Sequence, residues 1–270
     1  RPKSSAASDV YKRQIIMLYS CWEVFLYTVL LMRIFFIIIL LIYPYYLNSK
    51  VINLKYEIDW QSIHLADLNW IIKLEENKYE INFIIKSFGL TDKIYNYESV
   101  TNITGNIENN HLRPEKYISK TKSTKQDRYE NIFFSKNGLI TKLDISKELS
   151  SDQIELQNNR ITEHQYFTDP ISQLTQYILY NKDSDRIIID GLNIYELLKS
   201  SKENDILQKN NPSIYSGEVS LLDLTFPFFK GLFKENKKNN LKLIRMTYYK
   251  NELNNIPVIF EIKSRKFDAN

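Results

Sequence analysis

The residues able to do chemistry in this 270-residue chain are few and scattered. The three histidines, His64, His111 and His164, lie far apart, and none has a second His or Cys at a metal-ligand spacing. They read as surface or loop residues. Asp183-Ser184-Asp185 has the D-x-D form that holds a metal in some sugar-nucleotide transferases, but it sits in an Asn-Lys-Asp-Ser stretch of turn-forming residues just before a strand. No G-x-S-x-G elbow, H-E-x-x-H helix or G-x-x-x-x-G-K loop occurs. With only six glycines, no two fall at a phosphate-binding spacing. No catalytic residue, metal or cofactor is expected from these patterns.

Aromatic side chains offer a different chemistry, contact with apolar groups. The chain has 19 Tyr, 14 Phe and 3 Trp, and Tyr56, Trp60, Trp70, Tyr79 and Phe83 recur at alternate strand positions. Core packing is one reading of that series. The other is a curved sheet whose aromatic face stays open to an acyl chain or another apolar ligand. On that second reading these five residues are the candidate ligand-binding set, and Thr225 to Phe233 is an apolar flap over the cavity, or a membrane-touching or partner-binding loop.

Strands must position those rings. Leu54, Tyr56, Ile58 and Trp60 alternate with Lys55, Glu57 and Asp59; Leu68, Trp70, Ile72 and Leu74 repeat the pattern after a bend near Ser62 to Asp67; and Tyr79, Ile81, Phe83 and Ile85 form a third strand. Short polar turns between them predict an antiparallel meander. Further strands are expected over Ile94 to Ile107, after Pro114 (which should open its strand or lie on an edge), and on either side of Lys136-Asn137-Gly138, where Asn-Gly suits a type I′ turn. Leu149 to Thr168 lacks a period and reads as a long connection. Asp169-Pro170 then starts a helix carrying Ile171, Leu174 and Ile178 on one face. A second hairpin turns at Asp190-Gly191, Lys199 to Pro212 reads as polar and mobile, and Glu218 to Thr225, Leu241 to Tyr249 and Pro257 to Ser264 complete the strands. The expected fold is mainly β: a large antiparallel curled sheet, or a flattened, incomplete barrel, with one packing helix, preceded by an N-terminal hydrophobic leader helix.

The N-terminal region follows another logic. Residues 1–14 are polar and read as a non-native extension. Residues 15–49 are almost wholly apolar, and read as a signal peptide if translation starts at Met32 or as a membrane anchor if it starts at Met17. Arg33 fits a positively charged leader start better than the interior of a membrane span. Residues 50–270 then form a single antiparallel domain. The formal charge is +4 overall, but residues 1–49 carry five basic and two acidic groups, so about +1 remains for the domain. That balance argues against nucleic acid as a partner, since the single dense basic cluster is Lys234 to Lys238. Cys21 lies in the leader, so the domain has no thiol.

The succession Tyr56-Glu57-Ile58-Asp59-Trp60, Ser87-Phe88-Gly89-Leu90, Tyr97-Glu98-Ser99, Leu112-Arg113-Pro114-Glu115, Asp169-Pro170-Ile171-Ser172, Asp190-Gly191 and Pro257-Val258 resembles an exported bacterial family known as domain of unknown function 3108 (DUF 3108). The resemblance implies a periplasmic or envelope-associated protein with a large curled antiparallel sheet, or one anchored in the inner membrane with its domain outside the cytoplasm. Where relatives tend to carry glycines around the first bend, this chain has Gln61, Ser62 and Ala66. The function expected from leader, aromatics and missing motifs is non-enzymatic binding or chaperoning of a lipid or lipoprotein, with membrane association through residues 15–49. The alternatives are a structural or interaction protein of the envelope with no ligand cavity, and, less favoured, a hydrolase acting on envelope polymer.

Overall fold

A computed structural model of the chain describes residues 29, 31–35, 49–60, 63–182, 186–207, 217–234, 241–249 and 256–264. The chain divides into two units, residues 1–47 and 48–270. In the first, residues 29 and 31–35 are helical, so most of the expected leader lies outside the described residues. Among the described residues, no helix is long and apolar enough to cross a membrane.

The second unit is mainly β. Its first seven strands make one open antiparallel sheet in chain order: β1 (Lys50–Trp60), β2 (Ile63–Leu74), β3 (Lys78–Ser87), β4 (Glu98–Glu108), β5 (His111–Lys122), β6 (Arg128–Phe134) and β7 (Ile140–Ile145). Period-two patterning sets the register, placing Leu54 opposite Trp70, Trp70 opposite Phe83 and Ile81 opposite Ile103. The expected bend at Ser62 to Asp67 is shorter than predicted, because β2 already runs from Ile63. A bulge takes up the irregularity: Ile58 pairs with Ala66 but Asp59 pairs with His64, leaving Leu65 as an extra residue on β2.

Pro114 lies inside β5 rather than at its start. The ladder tolerates it because β5 itself bulges at Glu115, where Thr104 pairs with Lys116 but Gly105 pairs with Pro114, and the pairing of β5 with β6 begins only at Lys116. Asn109 and Asn110, with φ of 53° and 63°, turn β4 into β5. The Asn137-Gly138 hairpin forms as predicted, but only Gly138 has positive φ (79°), and its N–H donates to the Ser135 carbonyl. It is therefore a type I turn closed by a left-handed glycine.

Among the described residues of the second unit, three helices replace the single packing helix expected. α1 (Gly89–Tyr95) occupies the start of the segment predicted as a strand, stopped by left-handed Asn96 (φ 36°). α2 (Ser151–Thr162) fills the predicted connection and opens with a capping box, Ser150 with Gln153. α3 (Pro170–Tyr180) is the predicted helix, capped by Asp169, whose carboxylate accepts from the N–H groups of Ile171 (3.0 Å) and Ser172 (2.8 Å).

Two four-stranded sheets follow where one continuous sheet was expected. The first has the order β13 (Phe229–Gly231), β10 (Asn193–Tyr195), β9 (Ile187–Ile189), β8 (Phe167–Thr168), with β8 and β9 parallel. The second, wholly antiparallel, has the order β11 (Leu198–Leu207), β12 (Gly217–Thr225), β14 (Leu241–Tyr249), β15 (Pro257–Ser264). β11 corrects the reading of Lys199 to Pro212 as wholly irregular; the remainder of that segment lies outside the described residues, as does Asp183 to Asp185. The Thr225 to Phe233 run is not a flap. Leu232 and Phe233 are buried in the main core, and Leu232 donates its N–H to the Leu192 carbonyl (2.7 Å).

Candidate functional site

Four of the five aromatic candidates share the packed face of the large sheet. Trp70 is 1% exposed and meets Phe83 edge-on at 5.2 Å between ring centroids, with Phe260 of β15 at 6.1 Å. Tyr56 meets Phe260 edge-on at 5.2 Å and donates its hydroxyl to the Pro257 carbonyl (2.8 Å). Tyr79 reaches Ser172 of α3, hydroxyl to hydroxyl, at 2.8 Å. β15 and α3 therefore lie against this face. Trp60 is separate, 51% exposed, because β1 runs on past the covered region and Trp60 pairs with Ile63 at its end.

That end of the sheet and the adjoining α1 carry several exposed apolar side chains. Trp60, Ile63, Phe88, Leu90 and Ile94 are all exposed, Leu90 and Ile94 each at 75%. α1 buries none of its residues, yet it is held firmly. Ser87 Oγ donates to Asp92 (2.7 Å) and accepts from the Tyr97 N–H (2.9 Å), Phe88 N–H donates to the Leu65 carbonyl (2.9 Å), and Thr124 N–H and Oγ1 both donate to the Tyr95 carbonyl (3.1 and 2.7 Å). A helix hydrogen-bonded at both ends that keeps its leucine and isoleucine in water forgoes the burial those side chains could contribute, unless they have another use.

Beside it, on the outer face of β1 and β2, lies a group that sequence spacing did not bring together. His64 Nδ1 is 3.3 Å from Asp59 Oδ1 and 3.8 Å from Glu57 Oε2, while Nε2 is 3.0 Å from Asp67 Oδ1. Phe88 walls the imidazole edge-on, its centroid 4.5 Å away. The signal was present as alternating Glu57-x-Asp59 on one strand and His64 with Asp67 on the next. Only the bulge at Leu65, invisible to periodicity, puts His64 on the carboxylate side.

A third group, partly buried, lies where β5 and β6 face the start of α3 and the β9–β10 turn. Gly191 (φ 81°) lets Glu130 lie against the β9–β10 turn, since a Cβ there would come within 2.9 Å of Glu130 Cγ. Asp190 organises that turn, accepting from the N–H groups of Leu192 (2.9 Å) and Asn193 (2.7 Å). Burial, reinforced by the Asp190 charge, pushes the Glu130 carboxyl up to about 7, and burial pushes the capping Asp169 up to about 6. Burial likewise holds the Tyr117 and Tyr195 phenols well above their ordinary range. A carboxyl titrating near neutrality can exchange protons. Yet Asp190 and Asp169 are engaged by backbone N–H groups, so this layer serves first to lock the elements together. The other two histidines are placed apart: His111 Nδ1 is 3.2 Å from Gln176 of α3, and His164 packs edge-on against Phe167 and Phe228.

Fold and site thus define an open-sheet β protein with a covered aromatic core and an exposed apolar and acidic tip. No family model, curated protein or solved structure matches the chain.

Proposed function

We propose that the protein is an exported interaction protein of the cell envelope that works by docking the tip formed by Trp60, Ile63, Phe88, Leu90 and Ile94 onto an apolar surface of a protein partner. The observation that carries this reading is α1, a hydrogen-bonded helix that buries nothing and exposes Leu90 and Ile94. Export rests on the apolar segment 15–49 and on the motif order resembling DUF 3108, both properties of the sequence. Placement is in the periplasm or on the envelope, with an inner-membrane anchor as the variant form. A photoreactive side chain at position 90, compared with one at exposed Thr141 on the far strand of the sheet, tests the docking. A reproducible protein adduct at position 90 alone is expected, and equal or absent adducts at both positions would sink the proposal.

A second reading, lipid or lipoprotein binding on the aromatic face of Tyr56, Trp70, Tyr79 and Phe83, is favoured by one detail. The indole N–H of Trp70 is buried and has no hydrogen-bond acceptor among the described residues, the kind of orphan that a ligand oxygen or a water would satisfy. For an acyl chain to enter, Phe260 would have to withdraw from Trp70 and Tyr56. Native mass spectrometry of protein taken from membranes separates the readings: co-purified lipid lost on Trp70→Phe supports this one.

A further inference from the structure

We propose that Glu57, Asp59 and His64 form a binding site for a divalent transition-metal ion of the zinc class, with Asp67 as the carboxylate that orients the imidazole. The site stands independently of the docking reading, because it rests on a different set of side chains.

Charge is the first argument. Glu57 lies directly opposite Asp67, and Asp59 directly opposite His64, so three carboxylates and one imidazole share one face of a two-stranded ribbon. Like charges directly opposite destabilise a sheet. Lys86 on β3 lies across from Asp67 and balances one of the three. Two carboxylates remain facing the same ring nitrogen.

Distance is the second. Asp67, 3.0 Å from Nε2, is the hydrogen-bond acceptor that fixes the Nε2–H tautomer. In the neutral ring this leaves Nδ1 with a lone pair facing Asp59 and Glu57 at 3.3 and 3.8 Å. Those separations exceed the ~2.7–3.2 Å of an ordinary N–H···O bond. The Asp59 separation falls within the roughly 3.3–3.5 Å between donors around a tetrahedral ion whose bonds are about 2.0–2.2 Å, and Glu57 lies a few tenths of an ångström outside it, within reach of a side-chain adjustment. All three donor atoms lie within 4.8 Å of one another. An imidazole donor with two carboxylates suits zinc and its first-row neighbours, whereas calcium and magnesium favour all-oxygen shells.

The bulge is the third. Without the extra Leu65, Asp59 would face Leu65 and His64 would lie on the opposite side of the sheet. Bulges that re-aim one side chain are a recurrent device next to functional sites. Three protein donors leave a fourth position open, for water or for a donor group of whatever approaches the tip.

The test is zinc titration of the chelator-treated full chain by calorimetry, with imidazole nitrogen shifts followed by NMR. One Zn²⁺ per chain is expected, perturbing His64 Nδ1 and raising the Tm, with millimolar Mg²⁺ unable to compete. His64→Ala and the isosteric pair Glu57→Gln with Asp59→Asn should each abolish stoichiometric binding, while Asp67→Asn weakens it about 10- to 100-fold. His111→Ala with His164→Ala should leave it intact. Binding that survives the Glu57→Gln, Asp59→Asn pair, or a titration that leaves Nδ1 unshifted, overturns the proposal. The second result would identify the cluster as a proton-bridged ion pair.

Discussion

Asp59 and His64 are cross-strand partners because β2 carries one residue more than β1 between them and the Ile58–Ala66 pair. The insertion costs one rung of regular ladder and assembles three acidic groups around a single imidazole. In chelator, the cluster should be a net burden on stability through the facing pair Glu57 and Asp67. Glu57→Gln is therefore expected to raise stability by a few tenths of a kcal/mol. With zinc present the same substitution should lower the Tm relative to the parent chain. Thermal unfolding of both proteins with and without metal reads this reversal of sign directly.

Gly105 and Tyr79 make a second exacting pair. They face each other across β3 and β4, and a Cβ on Gly105 would lie 2.7 Å from Tyr79 Cε1 and 2.8 Å from Pro114 Cα, with the Arg113 carbonyl closer still. Two of these obstacles are backbone, so neither can swing aside. Gly105→Ala should cost about 1–3 kcal/mol by overpacking. Chemical denaturation would register it as a lower midpoint at unchanged slope. Tyr79→Phe, which removes only the hydroxyl facing Ser172, should cost about 1 kcal/mol.

The buried carboxyls make stability depend on pH in an unusual direction. Both Glu130 (about 7 against an ordinary 4.5) and Asp169 (about 6 against 3.8) bind protons more tightly folded than unfolded. Their contribution is thus complete below pH 4 and lost as pH rises through 6 and 7. The Tm should fall between pH 5 and pH 8, and Glu130→Gln should flatten that fall by removing its upper part. Calorimetry across this range checks both. A Glu130→Gln protein with an unchanged slope would show that the Glu130 carboxyl is not what titrates.

How much of this could be read from the chain depends on whether the deciding signal was local. The β1–β3 meander and α3 were legible, since alternating apolar residues and Asp169-Pro170 act within a few positions. α2 was legible in principle, because Ser150 and Gln153 spell a capping box, but its polar composition hid the helical period. α1 was masked by the β-prone residues that follow it. Pro114 sits inside β5 thanks to a bulge at the adjacent Glu115, a register shift against β4 that the residue types around Pro114 do not announce. The same holds for the tip. Trp60 has the parity of a core residue, and only the extent of the covering elements shows that it stands beyond them. The Glu57–Asp59–His64 group depends on a one-residue register shift, which is a tertiary fact.

Asp223 and Arg245 bridge β12 and β14 as facing residues, with paired contacts of 2.6 and 2.7 Å, and Asp223 is buried. The planar fork of arginine matches both carboxylate oxygens, which a lysine cannot do. Arg245→Lys should therefore cost about 1–2 kcal/mol despite keeping the charge. Asp223→Asn should cost at least as much, leaving a guanidinium without its counter-charge. A double-mutant cycle should return a coupling energy between them; additive losses would mean the pair contributes through its separate contacts.

The sharpest contrast concerns two tryptophans that look equivalent in the alternating pattern. Trp70 is enclosed by Phe83 and Phe260, so Trp70→Ala should open a cavity and cost about 3–5 kcal/mol. Trp60 stands half in water beside Ile63, and Leu90 and Ile94 stand on a helix that buries nothing. Trp60→Ser, Leu90→Ser and Ile94→Ser should then each change stability by less than about 0.5 kcal/mol, and the triple variant by little more. If the tip docks on a protein partner, that same triple variant should lose the position-specific adducts while its unfolding curve stays in place. Loss of adducts with intact stability separates a working surface from a structural one. A large fall in stability would instead mean that these side chains are covered within the protein itself.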